Sequence, residues 1–514
     1  MSVSSLHPLY QKRMLQWHVI RDCVEGEDAI KNAGEVYLPK NAGWVPEQYE
    51  AYKKRARWNN YTAQNLDGLH GLIFRRNPIV TEAEDGLKNS GILSNIDRKG
   101  TSLYQFLSDT VYDLMQTSFG GYLVDMPTAP EGITTGQAEK LGIRPYVRYY
   151  PAESIINWGY QIINGVEQLA FVVLKEMVDT YVEDEFEHKP AVQYRVLDAR
   201  DGIYKQRLFQ EAGLDKKTQK MQYFETLIPV MINGEYLTEI PFVTLPSKEP
   251  EKPMFYDLAM CNIGHYQKSA DYENGVHLTT IPTGYVTGHD KWVDPETGEE
   301  ESIHLGWDSF LIFKESEAKV GNLSFSGVGL VHSETALSQA LSDMAVLGSR
   351  LLVTEKGTSE SADSAKIHRA GENARLATFA KNVSDKFTQV LKIIAKWIGV
   401  DTNLRVELCT DYDTLAFDPN AINALANLSE AGKLPLPALF KNLKDGEYLP
   451  ADMTFDTFAI MLQLENLGYS PMEEAKIYKA LLNGVKVNVQ EKLPSQPVQQ
   501  QTEEKEDTEE EGEK

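Results

Sequence analysis

The chain has 514 residues, 51 Lys and Arg against 75 Asp and Glu, and a formal net charge of −24 at pH 7. That balance argues against a general nucleic-acid binder, whose phosphate-driven affinity needs a basic surface that displaces counterions. At 42% hydrophobic residues there is enough apolar material for roughly two to four packed units.

The three cysteines, Cys23, Cys261 and Cys409, form no CxxC pair and no dense disulfide framework, which fits synthesis in a reducing cytosol. Residues 1–30 lack an apolar segment behind a basic start, and no apolar run approaches the ~20 residues of a membrane helix. The sequence therefore predicts neither a secretory leader nor a membrane span.

In chain order, Leu66, Leu69, Leu72 and Ile73 recur at helical spacing and stop before Pro78, and Leu103, Phe106, Leu107 and Leu114 repeat the pattern. The first 125 residues read as mainly helical. From about Arg144 to Leu245 the chain is rich in Val, Ile, Tyr and Phe and is punctuated by Asn164-Gly165, Asp201-Gly202 and Asn233-Gly234. Asn, Asp and Gly tolerate the positive φ of a type I′ turn, so each pair predicts an antiparallel hairpin.

A helix is expected from Asp257, as N-cap, with a stripe of Leu258, Ile263, Tyr266 and Ala270 running towards His277. Another follows from about Ser333, with Leu337, Leu341, Met344, Gly348 and Leu351 or Leu352 on one face. The two bracket an insert, roughly Thr283 to Gly327, that carries Asp290, Asp294, Glu296, Glu299, Glu300 and Glu301 and a short apolar strand, Phe310 to Phe313.

After Val353 comes the polar stretch TEKGTSESADSA, then a helical pattern from about Ser364 to Ile398 closed by Gly399. At ~1.5 Å per residue that helix is on the order of 50 Å long. Val406 to about Gly484 reads as mostly helical, with Asp418 and Pro419 as cap and first helical residue. From Glu491 onward nothing aromatic remains, and Glu503 to Lys514 holds eight acids and two lysines, a composition that predicts a solvated, disordered tail. No internal repeat is visible.

The motif search is mostly negative: no GxxxxGK[ST], HExxH, GxSxG, or GxGxxG after a strand occurs. Gly327-Val328-Gly329 lacks a third glycine and reads as a turn. The ten histidines do not join one another or a cysteine at zinc-site spacings, and His265 and His277 read as helix-surface or core residues. The run Glu299-Glu300-Glu301 sends consecutive side chains apart, so it reads as a solvated loop or a docking surface for a basic partner before it reads as a chelator. Lys53, Lys54, Arg55 and Arg57, interleaved with Tyr49, Tyr52, Trp58 and Tyr61, could track phosphates while stacking bases, but on a helix they read first as an amphipathic face with snorkelling cations.

The order of elements, together with the strings HPLYQKRMLQWHVIRDCVEG, YLPK, RPYVRYYPAESIINW, DLAMCNIGHYQKSADYENGVHLTTIPTGYV and ALSQALSDMAVLGSRLL, resembles the tailed-phage portal proteins. Within them it resembles a portal-like subfamily long known only as a phage domain of unknown function. The resemblance spans nearly the whole chain except the acidic tail. It implies an α+β fold: a wing of helices then antiparallel sheet (1–255), a first stem helix (256–282), a clip (283–327), a second stem helix (328–352), a tunnel loop (353–363), a long wing helix (364–405), a helical crown (406–489) and the tail (490–514).

The resemblance further implies a dodecameric ring at one capsid vertex, in the virion and, during assembly, in the host cytoplasm. DNA would pass through its channel during packaging and ejection without sequence specificity. Partners would be other copies of the chain, the major capsid protein, the large terminase subunit and head-tail connector proteins, with no membrane, no cofactor, no metal and no catalysis. Glu355, Lys356, Gly357, Thr358 and Ser359 fall in the tunnel loop, Lys356 nearest DNA. Asp290, Asp294, Glu296, Glu299, Glu300 and Glu301 fall in the clip that faces terminase or connector. Leu341, Ala345 and Gly348 fall where neighbouring stems would pack, small residues permitting close approach. An acidic chain with sparse lysines suits a low-friction conduit, since many phosphate contacts would oppose sliding. The alternatives are another virion head or connector protein without a channel, and an enzyme whose site is assembled from residues distant in sequence.

Overall fold

A computed structural model describes the chain from Val3 to 479, except 82–85, 88–89, 128–136, 138–140, 164, 181–188, 215–220, 233, 281–282, 288–316, 324–326, 349–361, 401–402, 411, 413–418, 446–447, 450–452 and 467–475. It is a mixed α+β chain in two compact units, residues 1–412 and 413–514.

The first unit opens with helices α1 (Pro8–Glu25), α2 (Glu27–Ala33), α3 (Pro46–Arg55) and α4 (Tyr61–Ile73), a short strand β1 (Ile79–Thr81), and α5 (Leu103–Thr117). Helix α5 shows how its sequence sets its limits. The Ser102 hydroxyl accepts from the Gln105 N–H at 3.3 Å as N-cap, and the helix ends where Ser118 turns left-handed at φ 52°. Its Leu103, Phe106, Leu107, Val111 and Leu114 recur at helical spacing and are buried.

The sheet-rich part follows with β2 (Gly120–Asp125), β3 (Tyr146–Pro151), β4 (Ile155–Ile163), β5 (Val166–Thr180), β6 (Lys189–Asp198), β7 (Lys205–Leu214), β8 (Met221–Pro229), the pair β9 (Met231–Ile232) and β10 (Glu235–Tyr236), and β11 (Phe242–Leu245). Strands β4 to β8 form an antiparallel meander in sequence order, and β11, β2 and β3 form a second sheet. All three expected hairpins are present. Two have two-residue loops, with Gly165 at φ +79° and Gly234 at φ +82°. The third is longer than its Asp-Gly pair suggests: β6 and β7 pair only as far as Asp198 and Lys205, leaving a six-residue turn over 199–204.

Beyond the sheets come α6 (Tyr256–Thr280), β12 (Thr283–Thr287), β13 (Lys319–Leu323), α7 (Val328–Gly348), α8 (Ala362–Trp397) and β14 (Arg405–Glu407). The main core gathers residues from α1 to α6, from α8 and from β14. Within it Phe387 of α8 packs edge-on against Tyr122 at 5.2 Å. The Thr388 and Ser384 hydroxyls of α8 accept from the Val406 and Leu408 N–H groups at 2.9 and 3.0 Å, so the helix holds β14 in place while β14 pairs with β1.

Four expectations are corrected. Asp257 lies in the first turn of α6 rather than capping it, with Lys252 Nζ 2.6 Å from both carboxylate oxygens. Helix α7 starts at Val328, five residues before Ser333, because Leu330 packs onto α6 and this contact overrides the two glycines that read as a turn. The long helix begins at Ala362, so Ala362 and Asp363 belong to it and not to a loop. Val406 stands in a strand, because it pairs with Val80 across the chain.

In the second unit, α9 (Pro419–Glu430) starts at the expected proline and is followed by α10 (Leu436–Asp445) and α11 (Phe455–Asn466). Phe440 meets Phe458 at 5.2 Å and Phe455 at 5.7 Å, which pins α10 to α11. No helix among the described residues is long and apolar enough to cross a membrane.

Candidate functional site

The site singled out by the sequence is the unit α6–β12–β13–α7. Helix α6 buries Leu258, Ile263, Tyr266 and Ala270, the predicted stripe, and adds Asn262, His265 and Ser269. A buried Asn in an apolar stripe requires partners. Asn262 Oδ1 accepts from the Thr62 N–H and hydroxyl at 3.0 and 3.1 Å, and its Nδ2 donates to the Asn59 carbonyl at 3.0 Å. That one amide thus fixes the start of α4 to the middle of α6.

The far half of α6 is tied down by α3 and the residues after it. The Tyr52 hydroxyl donates to Asp271 at 2.7 Å, Arg55 donates to the Asn274 side chain at 2.9 Å, and Arg57 pairs with Glu273 at 2.9 Å. Gln267 donates to the Tyr37 carbonyl at 2.8 Å. The basic and aromatic cluster therefore has a structural use. Tyr49 and Tyr52 are buried, Trp58 lies edge-on to Tyr266 at 5.8 Å, and Lys53 pairs with Glu50. Rings in the core offer no face for stacking bases, which favours the amphipathic reading.

Helix α7 packs antiparallel on α6: Cys261 lies against the Ala340 carbonyl, the Tyr272 hydroxyl donates to Glu334 at 2.9 Å, and Gly275 faces Leu330. A Cβ at Gly275 would stand 2.8 Å from Leu330 Cδ2, so the glycine sets how closely the helices approach. The link between them opens with the antiparallel pair β12–β13, running from Thr283 opposite Leu323 to Thr287 opposite Lys319. The described ends of the insert thus form a two-stranded ribbon between the two helices in sequence.

Within α7, Ala340 and Met344 are buried, whereas Leu341 is 43% exposed and Val328, Val331, Val346 and Leu347 are more so. Ala345 is half-buried and Gly348 is the last helical residue. Of the expected face, then, Met344 is buried and Leu341 lies at the exposed margin. Asp290, Asp294, Glu296, Glu299, Glu300 and Glu301, the strand Phe310 to Phe313, and Leu351 and Leu352 lie outside the described residues. So do Glu355, Lys356, Gly357, Thr358 and Ser359.

The titratable groups facing α6 serve packing. Burial pushes the His265 imidazole below its ordinary value, with the Lys268 charge adding to the shift, and its ring meets Tyr61 edge-on at 5.5 Å. Burial and the bond to Asp271 push the Tyr52 hydroxyl well above its usual range. Sequence reading missed Tyr52, Arg55 and Arg57 as anchors of α6. The available signal was the polar set Asp271, Glu273 and Asn274, which follows the apolar stripe and needs donors.

A family model described as a domain of unknown function (DUF4055) matches residues 254–398, the span from α6 through α8. No curated protein matches the chain. Among solved structures, a chain in the neck of an empty gene transfer agent (GTA) particle, computed with C6 symmetry, is similar at 13% identity and a TM-score of 0.37. That likeness covers 78% of this chain and 95% of the other. A chain in the virion of a native GTA particle is similar at 12% identity and a TM-score of 0.36, over 80% and 96% of the two chains.

Proposed function

We propose that the chain is a virion head structural protein and, more finely, a portal subunit: copies form a ring at one capsid vertex whose channel carries double-stranded DNA in and out. The observation that carries this reading is the α6–ribbon–α7 unit. Two antiparallel helices, of which α6 is tied to the N-terminal region through Asn262, Tyr52, Arg55 and Arg57, are joined through a two-stranded ribbon, and α8 follows in the order that the sequence resemblance implies.

In this reading α6 and α7 are the stem, and the acidic insert is the clip that docks the large terminase subunit and later the head-tail connector. Lys356 and its neighbours border the channel, and the major capsid protein surrounds the ring. The ring guides DNA and does not turn over nucleotides. Gold-labelled antibody raised against the acidic tail tests this on assembled heads: label confined to one vertex is the expected result. Label distributed over all vertices, or on the tail alone, would refute it.

A further inference from the structure

The first turn of α1 is capped by a titratable group. His7 holds extended backbone, φ −67° and ψ 142°, directly before Pro8, the arrangement of an N-cap followed by proline at the first helical position. Its Nδ1 accepts from the Leu9 N–H at 3.2 Å, the role that a Ser, Thr, Asp or Asn oxygen usually fills. The same residue fastens the chain to β4: its ring stacks on Trp158 at 3.9 Å and its N–H donates to the Ile156 carbonyl at 2.8 Å. One step earlier, the Asn157 side chain donates to the Ser5 carbonyl at 3.1 Å. Val3, Ser4 and Ser5, held by these bonds, wall a groove of about 980 Å³ together with Phe171, Val173 and Phe209.

An imidazole nitrogen accepts a hydrogen bond only while it carries no proton, whereas a hydroxyl or amide oxygen accepts at any pH near neutrality. Protonated, Nδ1 becomes a donor aimed at another donor, and the cation stands at the positive end of the α1 dipole. Burial pushes the His7 imidazole below its ordinary value, and the Glu249 carboxylate pulls the other way. The remaining charges nearby have other partners or lie further off. Lys248 pairs with Glu167, Glu153 pairs with Arg21, Lys12 and Arg13 stand more than one turn along α1, and Asn157 and Trp158 of β4 carry no charge. Stacking on Trp158 returns some energy to the cation, but it fixes the ring plane and leaves the proton on Nδ1, so the cap is lost all the same.

We infer that His7 is a pH-dependent latch: neutral, it caps α1 and holds residues 3–7 along β4, and protonated, it gives up the cap and loosens that segment from the wall of the groove. The native value lies below the unfolded value of about 6.5, so the latch is fully closed above that value and is lost as pH falls through it towards the native one. This inference goes beyond the ring reading and stands or falls apart from it.

Hydrogen exchange on the full chain at pH 7.5 and pH 5.5, with each rate corrected for the intrinsic pH dependence of amide exchange, tests it. Protection of the Leu9 and Tyr10 amides should fall about fivefold at the lower pH, the loss of one cap, while the amides of 107–114 in α5 keep theirs. His7→Asn, whose side-chain oxygen caps at both pH values, should hold the protection of Leu9 and Tyr10 constant, and His7→Ala should already be about fivefold less protected at pH 7.5. Protection of Leu9 and Tyr10 that is the same at both pH values in the parent chain, or that falls equally in His7→Asn, would overturn the inference.

Discussion

The inner and outer parts of the five-stranded sheet teach opposite lessons about polar groups. At its inner end, Glu176 is buried yet fully employed: it accepts from the Tyr150 hydroxyl and Gln193 amide at 2.6 Å, from Arg195 at 2.9 Å, and pairs with Arg148 at 3.2 Å. The arginines hold its carboxyl below the usual range although burial pushes the other way. At the outer end, β8 leaves Phe224 and Leu227 largely in solvent, and among the described residues no strand pairs with its outer edge. The inner part satisfies a buried charge within one chain, and the outer part leaves apolar side chains in water.

The sharpest way to break the comparison is Glu176→Ala. It leaves the largely buried Arg195 of β6 without its counter-charge, and a loss of about 3–5 kcal/mol is expected in denaturant unfolding, as for other buried pairs cut on one side. Asn262→Leu comes next. It deprives the Thr62 N–H and the Asn59 carbonyl of their partner between α4 and α6, a cost of about 1–3 kcal/mol by the same measurement. Gly275→Leu pushes α7 off α6 by steric overlap with Leu330 and should cost about 1–3 kcal/mol, whereas Gly275→Ala should be milder, because a gain in helix propensity of about 1 kcal/mol offsets the strain.

A pH dependence follows from His265. Its native value lies below the unfolded value of about 6.5 because burial disfavours the cation. Above pH 7 both states are neutral at this residue and it contributes no pH slope. As pH falls through the unfolded value, the unfolded chain takes up a proton that the native chain refuses, so stability declines towards the native value. His265→Gln should flatten that part of the stability curve between pH 7.5 and pH 5. At the small end, Phe224→Lys should change the stability of the single chain by no more than about 0.5 kcal/mol, since its side chain is largely in water.

Much of the helical architecture was legible because the period-3.6 signal is local. Leu258, Ile263, Tyr266 and Ala270 on α6, and Leu103 to Leu114 on α5, are buried as their spacing predicts. The Asn-Gly hairpins were legible for the same reason. What was hidden depends on contacts between distant residues: Val80 pairing with Val406, Leu330 extending α7 through two glycines, and Glu176 finding Arg195 on the neighbouring β6 and Arg148 on β3 of the other sheet. The exposed apolar edge of β8 was equally hidden, because Tyr223, Phe224 and Leu227 read as ordinary strand residues until their surroundings are known. For the candidate site, the helix pair and the insert between them were foreseen in order, the ribbon of Thr283–Thr287 and Lys319–Leu323 was not, and the anchors Tyr52, Arg55 and Arg57 were read only as an amphipathic helix face.

The central claim, that copies of this chain close into a ring around a channel, is tested most directly by imaging the purified full-length protein in negative stain alongside its native mass. Closed rings with a central hole and a mass near 12 times the 57.9 kDa chain are the expected result. Monomers alone, at high concentration and with capsid protein present, would contradict it.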